Sequence, residues 1–357
     1  MLEVLVAMTL GLVVLGSAIG MQISHREAYA LTESKLSMQS NAKFAHEFIA
    51  ASLRELGAVG CRTVEGYYAG SDEAESSNYE IAFNNPDIAF ANFKINEELL
   101  GYENAEGSNS WSPMVSGNFT FGADMLDGSD AITIRGAIGP TYRVDYDDIA
   151  ADSVQINLSN IANVQLKPSQ YAVLSQCDKA EVFKITGSEA QINAGTIFHG
   201  AGALGDDNAL PAFQKDFTDT SSAELRRVAV TTYYIANNDN NIPTLYRDID
   251  NVSDPLVEGV ERMQIEYGIN TDATTVNVPD EYHDAQWVND QDAWGDVVSV
   301  RLSFIMRSKD QLYDQNMQKT YSLPGAVTYE YAANDRFARI VYTATVNLRN
   351  RTLGVRI

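Results

Sequence analysis

The chain has 357 residues, 45% of them hydrophobic, and a formal net charge of −23. That length allows one large domain or two smaller ones, with ample apolar material for a core. A surface so acidic repels phosphates and anionic lipid heads, which disfavours nucleic-acid binding by the surface as a whole. Its plain use is solubility.

The charge is unevenly placed. Residues 1–60 hold Arg26, Lys35, Lys43 and Arg54 against Glu3, Glu27, Glu33, Glu47 and Glu55, a net of −1, which leaves −22 for the rest. From Val4 to Ile23 twenty consecutive residues carry no charge. A helix of that length rises about 30 Å, the hydrocarbon thickness of a bilayer. Its apolar positions are Leu2, Val4, Leu5, Val6, Leu10, Leu12, Val13, Val14, Leu15, Ile19 and Ile23. A cleaved secretory signal is the first alternative, but the run is long for one and no basic segment precedes it. An ordinary membrane anchor is the second. Gly11, Gly16 and Gly20 either let neighbouring helices approach closely or let this helix open locally.

No Pro and no Gly run comes after Ile23, so the helix continues to about Leu56. Leu31, Met38, Ala42, Ala45, Ile49, Leu53 and Leu56 recur at steps of three and four, with Phe44 and Phe48 beside them. This is a stripe for packing on a sheet or on other helices. Gly57 and Gly60 end it in the manner of a C-cap region. Residues 1–57 therefore form one helical element, apolar over 1–23 and amphipathic over 24–57, and residues 58–357 form a β-rich globular domain.

Cys61 and Cys177 are the two cysteines. Export of the domain beyond the helix makes a disulfide the expectation, with two buried thiols as the alternative. The bridge would close a loop of more than 100 residues, worth about 4–5 kcal/mol in the chain-entropy model.

From Arg62 to about Asn109 the chain is rich in Gly, Ser, Asn and Glu, with aromatic residues at no clean period. An irregular region with short strands is expected there. Alternating or apolar runs predict strands at 131–135, 154–158, 170–174, 182–186, 226–235, 244–247, 257–269, 297–306 and 339–348. The asparagine-rich turn at 237–241 makes a hairpin of the strands on either side of it. The fold class is α+β: one long N-terminal helix packed on a large antiparallel sheet, with room for a second, smaller sheet.

No catalytic motif is present: no G-x-S-x-G elbow, no phosphate loop, no H-E-x-x-H. No enzyme and no cofactor are expected. His25, His46, His199 and His283 with the two cysteines make no metal-ligand spacing. Asp124, Asp127 and Asp130, or Asp239 among its asparagines, read either as turn residues or as calcium ligands. Tyr282, His283, Trp287 and Trp294 lie in a polar loop at 270–295, either as core plugs or as a contact surface.

The residues that carry a family resemblance are now all in view. MLEVLVAMTLGLVVLGSAIG resembles the N-terminus of a type IV pilin. NAKFAHEFIAASLRELGAVGC resembles the helix end of the PilW-type minor pilins. DGSDAITIRG (127–136), YAVLSQCDKAEVFKIT (171–186), TLYRD (244–248), LVEGVERMQIEYGI (256–269), VVSVRLSFIMRS (297–308) and RFARIVYTATVNLRNR (336–351) resemble the same family in the same order.

The resemblance implies a type IV pilin-like fold and a role in a filament. It implies other minor pilins, the major pilin and the inner-membrane pilus assembly platform as partners. It places the chain in the inner membrane with a periplasmic domain before assembly, and in the extracellular pilus, at its tip, afterwards. Twitching motility, adhesion or DNA uptake would result from having the filament. It aligns Glu3 with the glutamate that neutralises the N-terminal amine of a neighbouring subunit. The alternative for Glu3 is a carboxylate reaching interfacial water. In the family a basic leader and a methylated phenylalanine precede this point, which would put two mature residues before Met1. Two other roles share the same helix. One is an adhesive tip module, its insertions at about 62–125 and 270–295 touching a surface or receptor. The other is a pseudopilin of a type II secretion system.

Overall fold

The computed structural model describes residues 2–58, 80–83, 98–105, 107, 111–113, 125–144, 155–159, 163–176, 179–200, 208, 213, 217, 223–271, 278–313, 319–331 and 334–348. Cys61, Cys177, Asp124 and Gly60 lie outside the described residues.

A single helix, α1, runs from Leu2 to Arg54. It ends as the sequence predicts, on a turn that puts Gly57 at φ +66°. A Cβ at Gly57 would also sit 2.3 Å from the Glu98 carboxylate. The positive φ favours glycine there, and any Cβ would displace the end of the Glu98 side chain.

The described strands form two main sheets. The larger has eight strands among the described residues. They are β1 (Glu80–Phe83), β2 (Leu99–Tyr102), β3 (Ala131–Arg143), β5 (Tyr171–Ser175), β6 (Lys179–Lys184), β8 (Glu224–Asn237), β9 (Pro243–Ile249) and β10 (Val252–Glu258). Strand β8 is its spine. One edge of β8 pairs antiparallel with β3. The other edge is shared, by β5 along its first half and β9 along its second. The predicted strand at 131–135 runs on to Arg143, past two glycines, because β8 is long enough to pair with it. Only β1 and β6 run parallel among the described strands. At the free edge, β10 carries a register shift at Pro255, which blunts that edge against further pairing.

The second sheet has the order β12-β11-β13-β16, with β11 at Val260–Ile269, β12 at Glu281–His283, β13 at Val297–Gln311 and β16 at Phe337–Asn347. The long pairing expected between the strands near 297–306 and 339–348 is present as β13 with β16. Two small two-stranded antiparallel sheets complete the described strands: β4 (Gln155–Asn157) with β7 (Thr196–Phe198), and β14 (Thr320–Ser322) with β15 (Thr328–Glu330). Two short helices, α2 (Glu189–Asn193) and α3 (Ala285–Asp290), are capped by Ser188 and Asp284.

The predicted strand at 257–269 is two strands. Gly259 breaks it, at φ +83°, with a would-be Cβ 2.9 Å from the Arg307 carbonyl. The piece before Gly259 belongs to β10 in the larger sheet, and the piece after it is β11 in the smaller one. Gly259 is thus a point where the chain crosses between sheets.

One core joins the helix to both sheets. Met38, Ala42, Ala45, Ile49, Leu53 and Leu56 of the helix segment pack with Ile132, Tyr233, Leu245, Met263, Tyr267, Leu302 and Phe304. A second cluster, around Phe183, Ile192, Ile197, Phe213 and Phe217, includes Ile156 of β4 and Ile197 of β7.

Candidate assembly helix and its seat

The first half of α1 is bare. Its large apolar side chains, from Leu2 to Ile23, are 51–79% exposed. Their exposure leaves a helix long and apolar enough, by length and composition, to cross a membrane. Its two hydroxyls are tied back into the helix: Thr9 donates to the Val6 carbonyl at 2.9 Å and Ser17 to the Val13 carbonyl at 2.8 Å. Such bonds let a hydroxyl sit in an apolar setting without an outside partner. A Cβ placed on Gly11, Gly16 or Gly20 meets nothing within 4 Å. Glu3 lies in the first turn, exposed.

The second half is seated. Met38, Ala42, Ala45, Ile49, Ala50 and Leu53 are buried at the predicted spacing. The alanines let the helix axis come close to the sheets, and Ile49, Leu53 and Leu56 supply the bulk. Each such large side chain contributes about 1.5–3 kcal/mol by burial. Polar ties surround this stripe. Asn41 donates to the Glu258 carbonyl at 3.2 Å. Tyr233 donates to the Phe48 carbonyl at 3.2 Å and meets the Ser52 hydroxyl at 2.8 Å. Glu55 pairs with Arg226 at 3.3 Å. After the helix, Ala137 of β3 donates to the Ala58 carbonyl at 3.4 Å. None of these ties is visible to periodicity, which reports only the apolar stripe. His46 packs edge-on to Tyr342 of β16, and burial pushes its pKa down.

The side of the helix away from the sheets is not wholly polar. Tyr29, Leu36, Phe44 and Phe48 remain 71, 62, 58 and 40% exposed. Phe44 and Phe48, expected beside the buried stripe, stand outside it.

The other sequence candidates scatter. Asp127, in the turn before β3, accepts from the Gly107 amide, twenty positions upstream, at 2.9 Å. Asn238 caps the turn that holds Asp239, accepting from the Asn240 and Ile242 amides at 3.0 Å each. Asp130 is buried at the junction of the sheets, where it accepts from the Ile265 amide at 2.7 Å. There it is hydrogen-bonded to Glu103, and burial together with the Glu103 charge raises its pKa well above the ordinary carboxylate value. The Glu103 pKa is raised as well, by burial. Two buried carboxyls in hydrogen-bond contact hold one proton between them. The Glu103–Asp130 pair was not legible in the sequence, because 26 positions and a turn separate its members. Among the described residues no three His, Cys, Asp or Glu side chains gather closely enough to hold a metal ion.

The aromatic loop divides. Trp294 is a core residue, edge-on to Tyr267 at 5.0 Å. Trp287 stacks on His283 at 3.6 Å, and Arg301 lies 3.6 Å over the Tyr282 ring. These last two rings are only partly buried.

Residues 232–350 match the family model PilW, Type IV Pilus-assembly protein W. That match spans β9 to β16 and the end of β8. Among solved structures, a type IV-like pilin from Thermus thermophilus is similar at 14% identity, covering 52% of this chain and 87% of that one, with a TM-score of 0.21. No curated protein matches. The family match thus covers residues 232–350, one third of a chain whose long apolar N-terminal helix is set on antiparallel sheets.

Proposed function

We propose that the chain is a minor pilin, which joins other minor pilins in a complex that primes assembly of the pilus and sits at its tip. One observation carries this reading. A single unbroken helix of 53 residues is bare and apolar in its first half and bound to the domain in its second. A helix of this kind serves two environments in turn. Lipid covers the apolar half while the subunit waits in the inner membrane, with the domain in the periplasm. Apolar helices of neighbouring pilins cover it once the subunit leaves lipid for the filament.

Glu3 supplies register. A carboxylate in an apolar bundle is costly unless it meets a cation. The N-terminal amine of a neighbouring subunit is such a cation, and a subunit inserted one step out leaves both charges unpaired. Tyr29, Leu36, Phe44 and Phe48 extend the apolar surface beyond the membrane half, where lateral helix contacts are expected. The acidic surface supports no role in nucleic-acid binding.

The test is a pull-down of the intact chain from membranes with mass spectrometry of its partners. Recovery of other minor pilins and the assembly platform, with loss or shortening of pili when the chain is deleted, supports the reading. Recovery of secretion-system components, or normal piliation without the chain, overturns it.

A further inference from the structure

The outermost strand of a sheet carries a row of unpaired backbone groups, and proteins guard it with short strands, bulges, prolines or charges. Among the described residues the guarding is uneven. In the larger sheet, β1 and β2 have four residues each, and β10 shifts register at Pro255. In the smaller sheet, β12 has three residues. The other end of that sheet is β16, with eleven. It holds no proline, and its pairing with β13 runs from Ser299–Asn347 to Arg307–Arg339 without a register shift. Among the described residues β13 is its one strand partner.

Two hydrogen bonds fix which way the backbone of β16 points. The Leu348 amide donates to the Val298 carbonyl at 2.9 Å, and the Ala338 amide donates to the Ser308 hydroxyl at 2.9 Å. Backbone groups alternate sides along an antiparallel strand. Even-numbered residues from Ala338 to Leu348 therefore face β13. Arg339, Val341, Thr343, Thr345 and Asn347 turn N–H and C=O to the other edge. The side chains of Val341, Thr343, Thr345 and Asn347 are exposed as well. From Ile340 to Leu348 nine residues carry no charge, in a chain of net charge −23. The edge thus lacks the charge that repels most of this surface from an incoming chain.

A second copy does not fit this edge. Antiparallel pairing of two identical edges needs a two-fold axis normal to the sheet. The helix α1 lies along one face of that sheet, with His46 edge-on to Tyr342, so the axis would turn one helix end for end. Two chains anchored in one membrane keep their helices parallel. We propose that the outer edge of β16 takes up, as an added strand, an extended uncharged segment of a different subunit of the pilus complex. This rests on the minor-pilin reading. Main-chain bonds at Val341, Thr343 and Thr345 hold the segment, and its alternate side chains meet the two threonines on one face and Tyr342 and Ala344 on the other.

The test is residue-by-residue amide exchange of the full chain in detergent micelles, alone and in the assembly recovered from membranes. Alone, the amides of Val341, Thr343 and Thr345 should exchange fast while those of Tyr342, Ala344 and Val346 are slow. In the assembly the three outward amides should slow at least tenfold. Thr343→Pro removes one outward N–H and leaves the bonds to β13 in place, as prolines at sheet edges do. It should cut recovery of the partner at least tenfold, with the thermal midpoint measured alongside. Val341→Lys, which puts a charge at the edge and changes no backbone group, should cut it several-fold and keeps the test open if the proline variant fails to fold. Slow outward amides in the isolated chain, outward amides that stay fast in an assembly containing other minor pilins, or full recovery with the variants that fold would overturn the proposal and leave the minor-pilin reading standing. Recovery of no pilin partner by the unaltered chain would overturn both.

Discussion

The hydroxyls of Ser52 and Tyr233 lie 2.8 Å apart, one on the last full turn of the helix and the other in the second half of β8. Tyr233 also donates to the Phe48 carbonyl, so its proton is committed to the helix backbone and Ser52 is the donor between the two side chains. A residue on the spine strand thereby grips the helix at two points. Burial pushes the Tyr233 pKa up, which keeps that proton in place. Tyr233→Phe leaves the ring and removes both bonds. A loss of about 1–2 kcal/mol is expected, at about 1 kcal/mol per net hydrogen bond. Urea unfolding of the two proteins checks it, and an unchanged midpoint would show that these two bonds add nothing to the hold on the helix.

The two sides of the seated half should respond differently to substitution. Ile49→Ala removes a fully buried side chain and should cost about 2–5 kcal/mol. Phe44→Ser, on a ring 58% exposed, should change stability by about 0.5 kcal/mol or less. If that face meets other pilins, Phe44→Ser lowers recovery of partners in the membrane pull-down while the unfolding curve stays where it was.

The Glu103–Asp130 pair predicts an alkaline weakness. The folded Asp130 carboxyl titrates well above its ordinary value because of burial and the Glu103 charge. Its unfolded counterpart titrates at about pH 4. The folded state therefore binds a proton that the unfolded state has released. The stability this proton confers is fully present below about pH 4 and is lost as pH rises through the raised folded value. Asp130→Asn keeps an acceptor for the Ile265 amide and removes the second charge. Its unfolding free energy should depend less on pH above 7 and exceed that of the unaltered chain at pH 8. A steeper alkaline decline in the variant would contradict a shared proton.

His46 works in the opposite direction. Burial lowers its folded pKa, partly opposed by Glu47. The neutral ring is the form that packs on Tyr342, so its contribution is present above about pH 6.5 and is lost as pH falls through the lowered value. His46→Gln should flatten the acid side of the stability profile between pH 7 and 5. Equal slopes in the two proteins would count against it.

Gly259→Ala tests the crossing between sheets. Its φ of +83° is strained for any side chain, and the new Cβ would meet the Arg307 carbonyl at 2.9 Å. A loss of about 1–3 kcal/mol is expected by chemical denaturation.

Most of the architecture could be read directly. Twenty uncharged residues and a clean stripe from Leu31 to Leu56 announce the helix and its buried face. The expected strand at 297–306 is the first ten of the fifteen residues of β13, and that at 339–348 covers all of β16 but Phe337 and Ala338. What escaped was set by partners distant in the chain. Gly136 and Gly139 look like the end of a strand, yet β3 runs through both because β8 continues beside it. The apolar run at 257–269 looks continuous, and only the carbonyl of Arg307, nearly fifty positions on, makes Gly259 a break. A short motif would have shown in the sequence, whereas a meeting of strands does not.

The union of helix and domain also has a mechanical side. Met38, Ala42, Ala45, Ile49 and Leu53 line one face of one rod, and they are all anchored to the same pair of sheets. A pull along the axis of α1, applied through its bare half, loads these contacts together, as shear. A sideways pull would peel them one at a time, beginning at Met38. The subunit is thus built stiff along its helix and weaker across it.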